Sequence, residues 1–285
     1  MIPVLKDVLA WASVSRVVCL ALVLFALPGC GGGEDDRATV VAGFYPLVWA
    51  AEQVGEGRFE IVNLTPAGAE PHDLELSPRD VETVRDAELV LYVGGGFQPA
   101  LEDAVKDREG RSLDVLGQGE RDPHVWLDPA RFERIVADVA EALGAAPAAS
   151  DTVLALNRLD EDFQRALDDC ERRELVTTHA AFGHLAERYE LEQLALTGTS
   201  PEAEPSPREL ESLADRVRAA GATTVFSEPL VSDRVARTIA REVGADVAIL
   251  DPIEGLSEER LDAGEDYLSV MRDNLAALRK ALGCR

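Results

Sequence analysis

Residues 150–170 read SDTVLALNRLDEDFQRALDDC. Apolar side chains recur here at intervals of three and four residues, which predicts one long helix, and strand-like alternation is absent from the stretch. The apolar positions are Val153, Leu154, Leu156, Leu159, Phe163 and Leu167. Ser150 and Asp151 are suited to cap the helix at its start. A stretch of small residues, 144–149, precedes it, so the helix separates two halves of the chain.

Both halves alternate short strand patterns with helical ones. The strand patterns are apolar runs at 38–43, 59–64, 88–93 and 112–116, and then at 174–178, 193–196, 223–226 and 247–250. Repeated strand-helix units predict parallel sheets covered by helices. We therefore expect an α/β protein with two lobes of parallel β-sheet, joined by one long rigid connecting helix. The expected boundaries are 38–149 for the N-terminal lobe, 150–171 for the helix and 172–285 for the C-terminal lobe.

The N-terminus has the pattern of an export signal. Lys6 and Arg16 precede a short apolar run, which ends in Leu27-Pro28-Gly29-Cys30. This arrangement predicts a lipoprotein signal peptide over 1–29, lipidation at Cys30 and a flexible tether over 30–37. A plain secretory signal or an uncleaved anchor is the alternative. We expect an exported protein, anchored by lipid to the outer face of the cytoplasmic membrane or facing the periplasm.

Charge and cysteine content narrow the class further. The formal net charge of −25 argues against a nucleic-acid partner. Cys19 would leave with the signal and Cys30 would carry lipid, so Cys170 and Cys284 remain in a compartment where disulfides persist. We predict a bond between them. Two free thiols, or an intermolecular bond through Cys284, are the alternatives.

Three of the four histidines lie where a predicted strand gives way to a helix. They are His72, His124 and His179, and Asp251 ends the last strand pattern. Ligands in such folds bind at the carboxyl ends of strands. Three imidazoles and one carboxylate predict a near-tetrahedral Zn²⁺ site in the cleft between the lobes. Glu228 and Glu70 are auxiliary candidates beside it.

Several motifs resemble those of a known family. They are Phe44-Tyr45-Pro46-Leu47, Glu70-Pro71-His72-Asp73, Asp122-Pro123-His124-Val125-Trp126-Leu127-Asp128-Pro129, Thr178-His179-Ala180-Ala181-Phe182-Gly183, Phe226-Ser227-Glu228-Pro229 and Leu250-Asp251-Pro252. From about residue 38 onward the chain resembles the metal-binding proteins of cluster A-I ABC transporters, which include zinc receptors and manganese-binding adhesin lipoproteins. The resemblance implies that His72, His124, His179 and Asp251 bind the metal. Two departures are Ala180, where the family usually has Asp, and the lack of histidine in residues 73–123.

The function that follows is binding without catalysis. We expect a monomeric, extracytoplasmic, high-affinity zinc receptor that delivers its metal to an ABC permease. Zn²⁺ suits the ligands better than Mn²⁺, which prefers more oxygen, and a manganese or iron receptor is the alternative within the family. A zinc-dependent hydrolase is the competing class, with Glu228 or Glu70 as general base. An adhesin-like surface protein with a structural metal is a third possibility.

Overall fold

The computed structural model describes residues 37–200 and 206–285. The predicted signal peptide, Cys30 and the tether up to residue 36 lie outside these residues. Within the described part of the chain, no helix is both long enough and apolar enough to cross a membrane.

The described residues contain two four-stranded parallel sheets. The N-terminal strands are β1 (Ala38–Ala42), β2 (Phe59–Asn63), β3 (Leu89–Tyr92) and β4 (Arg111–Asp114), in the order β2-β1-β3-β4. The C-terminal strands are β5 (Glu174–Thr177), β6 (Glu192–Ala195), β7 (Thr224–Ser227) and β8 (Asp246–Ile249), in the order β6-β5-β7-β8. The two sheets therefore share one topology, and the predicted α/β architecture is confirmed.

Strand position explains strand composition. The central strands β1, β3, β5 and β7 are mostly buried and rich in valine and leucine, as strands covered on both faces must be. The edge strands β4 and β8 each have a single partly buried residue, and their other residues are exposed. Strands β1 and β2 pair in parallel, with Ala38 beside Phe59 at one end and Ala42 beside Asn63 at the other.

Helices follow the strands in each half. In the N-terminal half they are α1 (Tyr45–Gly55), α2 (Pro78–Asp86), α3 (Pro99–Lys106) and α4 (Pro129–Ala142). Next come α5 (Ser150–Leu167), α6 (Gly183–Arg188), α7 (Pro207–Ala219), α8 (Arg234–Val243), α9 (Glu258–Asp262) and α10 (Tyr267–Leu282). Ser77 caps α2, and the carboxylate of Asp80 accepts a hydrogen bond from the Ser77 N–H.

Helix α5 spans most of the range 150–171 for which a long helix was predicted. It buries one face, on Leu156, Leu159, Phe163 and Leu167, and ends four residues before the predicted boundary. Leu154 keeps the apolar spacing but is 52% exposed. The largest apolar cluster continues from the N-terminal sheet across α5 to the C-terminal sheet, so the two halves share one core.

The predicted disulfide is present. Cys170 and Cys284 are bonded, and they enclose almost the whole C-terminal half within a covalent loop. The flanking backbone pairs as well, because the Arg285 N–H donates to the Asp169 carbonyl over 3.0 Å. The last residues of the chain are therefore held at the end of α5.

Candidate metal centre

Three histidine side chains meet between the two sheets. His72 lies in the short 3₁₀ turn Pro71–Asp73 that follows β2, and His124 immediately precedes the turn Val125–Leu127 that follows β4. His179 lies two residues beyond the end of β5. His124 and His179 are completely buried, and the His72 side chain is 8% exposed. The carboxyl ends of strands from both lobes thus bring these imidazoles together, in the position that the sequence predicted.

Glu254 is the fourth member of this group. Its Oε1 lies 3.5 Å from His72 Nε2, 3.2 Å from His124 Nε2 and 3.3 Å from His179 Nε2. The four potential ligand atoms all lie within 4.8 Å of one another. Each is buried and, among the described residues, lacks a hydrogen bond of acceptable geometry. Such an arrangement of donor atoms is what a metal cation requires.

Asp251, predicted as the fourth ligand, lies outside this group. Its Oδ2 lies 2.6 Å from Arg260 Nη1, and its Oδ1 accepts the Ile253 N–H over 2.7 Å. Both carboxylate oxygens therefore have partners other than the histidines. The carboxylate that faces the imidazoles belongs to Glu254, three positions after Asp251.

Two further carboxylates orient the buried imidazoles. Asp122 Oδ1 lies 2.7 Å from His124 Nδ1 and also accepts the His124 backbone N–H. Glu228 Oε2 lies 2.7 Å from His179 Nδ1, and its Oε1 contacts the Thr178 hydroxyl. With Nδ1 facing a carboxylate, Nε2 of each ring is left free to bind metal. Asp122 was not among the predicted site residues, although it lies two residues before His124.

The His72 turn is held by an aromatic contact and by hydrogen bonds. Phe97 packs edge-on against the His72 ring, with centroids 4.6 Å apart. The buried Gln98 amide donates to the carbonyls of Gly43 and Pro71 and to the Thr65 hydroxyl. Glu70 Oε1 accepts the His72 N–H over 3.3 Å. Glu70 thus contacts the backbone of the turn, and it is not part of the group formed by the imidazoles and Glu254.

Comparison with known proteins places this chain in a family. The model of the family described as "ZnuA: Zinc-uptake complex component A periplasmic" matches residues 40–281. The chain belongs to the ZnuA family. The resemblance seen in the sequence motifs is thereby confirmed.

Individual members of the ZnuA family show the same similarity. The zinc-binding protein AdcA of Streptococcus pyogenes serotype M1 is 32% identical over 86% of this chain and 56% of its own length. The chain thus spans little more than half the length of that relative. The high-affinity zinc uptake system protein ZnuA of Bacillus subtilis (strain 168) is 28% identical over 89% of this chain and 90% of its own.

A solved structure supports the fold assignment. The Zn(II)-bound ZnuA-like domain of Streptococcus pneumoniae AdcA superimposes with a TM-score of 0.74 at 32% identity. The superposition covers 86% of this chain and 99% of that domain. The whole described fold of this ZnuA-family chain therefore has a counterpart in a zinc-bound domain.

Electrostatics at the centre of this ZnuA-family site favour a charged carboxylate. Burial alone would raise the pKa of Glu254, but the three imidazoles facing it hold that pKa well below its usual range. Burial alone would lower the pKa of His179, but Glu228 and Glu254 raise it to about 10. Asp122 and Glu254 likewise raise the pKa of His124 against the effect of burial. The carboxylates around the site thus favour protonated imidazoles, and a metal bound at these rings would have to displace the protons.

Glu70 and His184 have other environments. Burial and the nearby Glu254 carboxylate raise the pKa of Glu70 to about 8. His184 lies on α6, and its Nε2 is 3.0 Å from the Asp122 carbonyl oxygen. His184 is buried and lies outside the metal group. Through this contact it touches the loop that carries His124.

Glu254 is the residue that the sequence analysis missed. It occurs in Leu250-Asp251-Pro252-Ile253-Glu254-Gly255-Leu256, where Asp251 matched a recognised motif. One signal was available, because Glu254 is a charged residue next to Ile253 and close to Leu256 in a mostly apolar stretch. A charged residue in a buried apolar run requires a partner, and the nearby histidines offer one.

Proposed function

We propose that this chain is an extracytoplasmic zinc receptor, in which His72, His124, His179 and Glu254 bind one Zn²⁺ ion for delivery to an ABC permease. The observation that carries the proposal is the convergence of three Nε2 atoms on Glu254 Oε1 at 3.2–3.5 Å. Zinc bonds to nitrogen and oxygen are about 2.0–2.1 Å long, so a tetrahedral site spaces its ligand atoms about 3.3–3.4 Å apart. The three distances match that spacing.

Zinc is the metal that this donor set favours. Imidazole suits Zn²⁺, whereas Mn²⁺ and Mg²⁺ favour sites richer in oxygen. The names of the relatives, zinc-binding protein AdcA and high-affinity zinc uptake system protein ZnuA, support the same choice. A manganese or iron receptor remains the alternative that a metal competition would reveal.

Binding without catalysis accounts better for the coordination than a hydrolase does. A catalytic zinc site keeps one coordination position for water, whereas four protein donors fill a tetrahedral site. Neither candidate general base has the position that hydrolysis would need. Glu228 contacts His179 and Thr178, and Glu70 accepts the His72 backbone N–H.

The cellular setting follows from the sequence. We propose export with a signal peptide over 1–29, a lipid anchor on Cys30 and a monomer whose tether spans 30–37. Within that protein the lobes would be 38–149 and 172–285, with the 150–171 helix as a rigid connector. The apolar core that continues across α5 supports limited motion between the lobes.

Chelator-competition titration of the purified mature protein tests the proposal. One Zn²⁺ per chain, bound tightly in wild type and weakened by orders of magnitude in His72→Ala, His124→Ala and His179→Ala, is the expected result. Asp160→Asn is the control, since its carboxylate pairs with Arg188 and lies outside the group. Wild-type affinity in a chain lacking all three site histidines would overturn the assignment.

A growth experiment tests transport separately. A strain that lacks this chain should fail in zinc-depleted medium and recover on expression of wild type but not of His124→Ala. Failure in manganese-depleted medium alone would point to the alternative metal.

A further inference from the structure

The residue before Glu254 has an unfavourable backbone conformation. Ile253 has φ of +56°, in the left-handed region, and its side chain is completely buried. A β-branched residue rarely adopts this conformation, because its Cβ crowds the backbone. Such a conformation persists only where surrounding contacts determine it. It also turns the chain so that Glu254 faces the three imidazoles.

Asp251 supplies the contact that fixes this turn. Its Oδ1 accepts the Ile253 N–H over 2.7 Å, while its Oδ2 lies 2.6 Å from Arg260 Nη1 on α9. Arg260 is itself oriented by Glu265, which accepts its Nε–H over 2.8 Å. The carboxylate is therefore fixed at both oxygens and holds the Ile253 amide in place.

The backbone of Asp251 is anchored independently. Its N–H donates to Asn274 Oδ1 over 2.8 Å, and its carbonyl accepts from Asn274 Nδ2 over 2.7 Å. Asn274 is buried in α10. The side-chain contacts of Asp251 thus act from a point that is fixed relative to the C-terminal sheet.

The N-terminal half holds the loop on either side of Glu254. Trp126 Nε1 donates to the Pro252 carbonyl over 2.7 Å. Gly68 N–H donates to the Leu256 carbonyl over 3.0 Å. Every residue from 251 to 253 therefore has at least one hydrogen bond that restrains it, and Glu254, which follows them, contributes its carboxylate to the group with the three histidines.

We propose that Asp251 is a positioning residue, which acts through Ile253 and Arg260 to aim the Glu254 carboxylate at the metal. This inference rests on the proposed function and assigns Asp251 a role other than ligation. A ligand role would require its carboxylate to leave Arg260, whose charge it neutralises in a partly buried setting. Loss of the contacts that the Asp251 carboxylate makes with Ile253 and Arg260 should lower zinc affinity by about 10–100-fold, as is typical of residues that orient metal ligands.

Zinc affinities of Asp251→Asn, Arg260→Gln and the double variant test this role. Each single change breaks the same ion pair, so each should weaken zinc binding by about 10–100-fold. Because the two changes remove one shared contact, their effects should not add, and the affinity of the double variant should lie within about threefold of that of the weaker-binding single variant. If Asp251 were a ligand, Asp251→Asn would abolish tight binding while Arg260→Gln retained or improved it. That outcome would overturn the proposal.

Cobalt(II) spectra separate positioning from ligation. At saturating cobalt, Asp251→Asn and Arg260→Gln should keep the visible band positions of wild type, because the four donors are unchanged. Glu254→Gln should shift the bands. A shift in Asp251→Asn with none in Glu254→Gln would contradict the assignment.

Two controls protect the comparison. Asp160→Asn removes a carboxylate that pairs with Arg188 through two contacts of 2.5 Å, away from the metal group, and should leave zinc affinity unchanged. Arg260→Lys keeps the positive charge but loses the planar guanidinium, which contacts Glu265 and Asp251 at the same time. Its zinc affinity should therefore fall, and this variant tests the proposal even if Asp251→Asn does not fold. Unchanged affinity in Arg260→Lys and Arg260→Gln would overturn the proposal. If wild type binds no zinc, the proposed function fails instead.

Discussion

Trp126 Nε1 donates a hydrogen bond to the carbonyl oxygen of Pro252 over 2.7 Å, and the two residues lie 126 positions apart in the sequence. Trp126 lies two residues after His124, and Pro252 lies two residues before Glu254. The bond therefore joins the two loops that carry the proposed ligands His124 and Glu254 from opposite halves of the chain. Tyr267 extends the contact, because its hydroxyl donates to the Trp126 carbonyl.

Trp126→Phe should destabilise the protein and weaken zinc binding. The change leaves the buried Pro252 carbonyl without its donor, which costs about 1–3 kcal/mol. Trp49→Phe is the matched control, since Trp49 is also buried but its Nε1 has no hydrogen bond among the described residues. Urea unfolding of both variants measures the difference. Equal losses would show that ring volume, not the bond, determines the effect.

Zinc binding should release protons well above the pH at which free histidine titrates. His179 has a pKa raised to about 10 by Glu228 and Glu254, and only a neutral imidazole binds metal. Apparent affinity should therefore rise with pH between about 6.5 and 10, by about tenfold per unit for each proton displaced. Calorimetry at pH 7.5 in buffers of different ionisation enthalpy measures the number of protons released per zinc ion bound. A heat that is independent of buffer would contradict the raised pKa.

Glu228→Gln should weaken zinc binding by about 10–100-fold without abolishing it. The amide keeps the shape of the side chain but loses the charge that lies 2.7 Å from His179 Nδ1. Glu242→Gln is the control, because it removes the same charge from an exposed position. Competition titration measures both variants, and equal affinities would remove Glu228 from the site.

Removal of the disulfide should lower stability and leave zinc affinity nearly unchanged. The bond joins residues 114 positions apart, for which loop entropy gives up to about 4–5 kcal/mol. The double variant Cys170→Ser and Cys284→Ser should therefore unfold at lower urea concentration than wild type. A reduced wild-type sample should match it, and a midpoint equal to that of the oxidised protein would show that the bond contributes little.

The sequence predicted those parts of the fold that depend on local pattern. The apolar runs of β1 and β5 predicted strands of parallel sheets, and the spacing of Leu156, Leu159 and Phe163 predicted a long helix, which is α5. The three histidines could be placed together because each ends a strand unit, and parallel strands bring their carboxyl ends to one edge of a sheet.

The proposed fourth ligand, Glu254, could not be found by the same logic. Asp251 directly follows the last strand unit, so strand position pointed to it, and Glu254 lies three residues farther along the chain. The left-handed turn at Ile253 redirects the chain, and a β-branched residue gives no sequence signal for that conformation. The turn depends on Arg260, Asn274 and Trp126, which lie elsewhere in the sequence and contact residues 251–253 only after folding.

A crystal structure of the zinc-loaded mature protein, with anomalous diffraction recorded on both sides of the zinc absorption edge, tests the central claim most directly. One zinc ion should lie between the two sheets, bound to Nε2 of His72, His124 and His179 and to the Glu254 carboxylate, at about 2.0–2.1 Å. Asp251 should remain paired with Arg260. A zinc ion bound by Asp251, or one that completes its tetrahedron with a water molecule, would contradict the account.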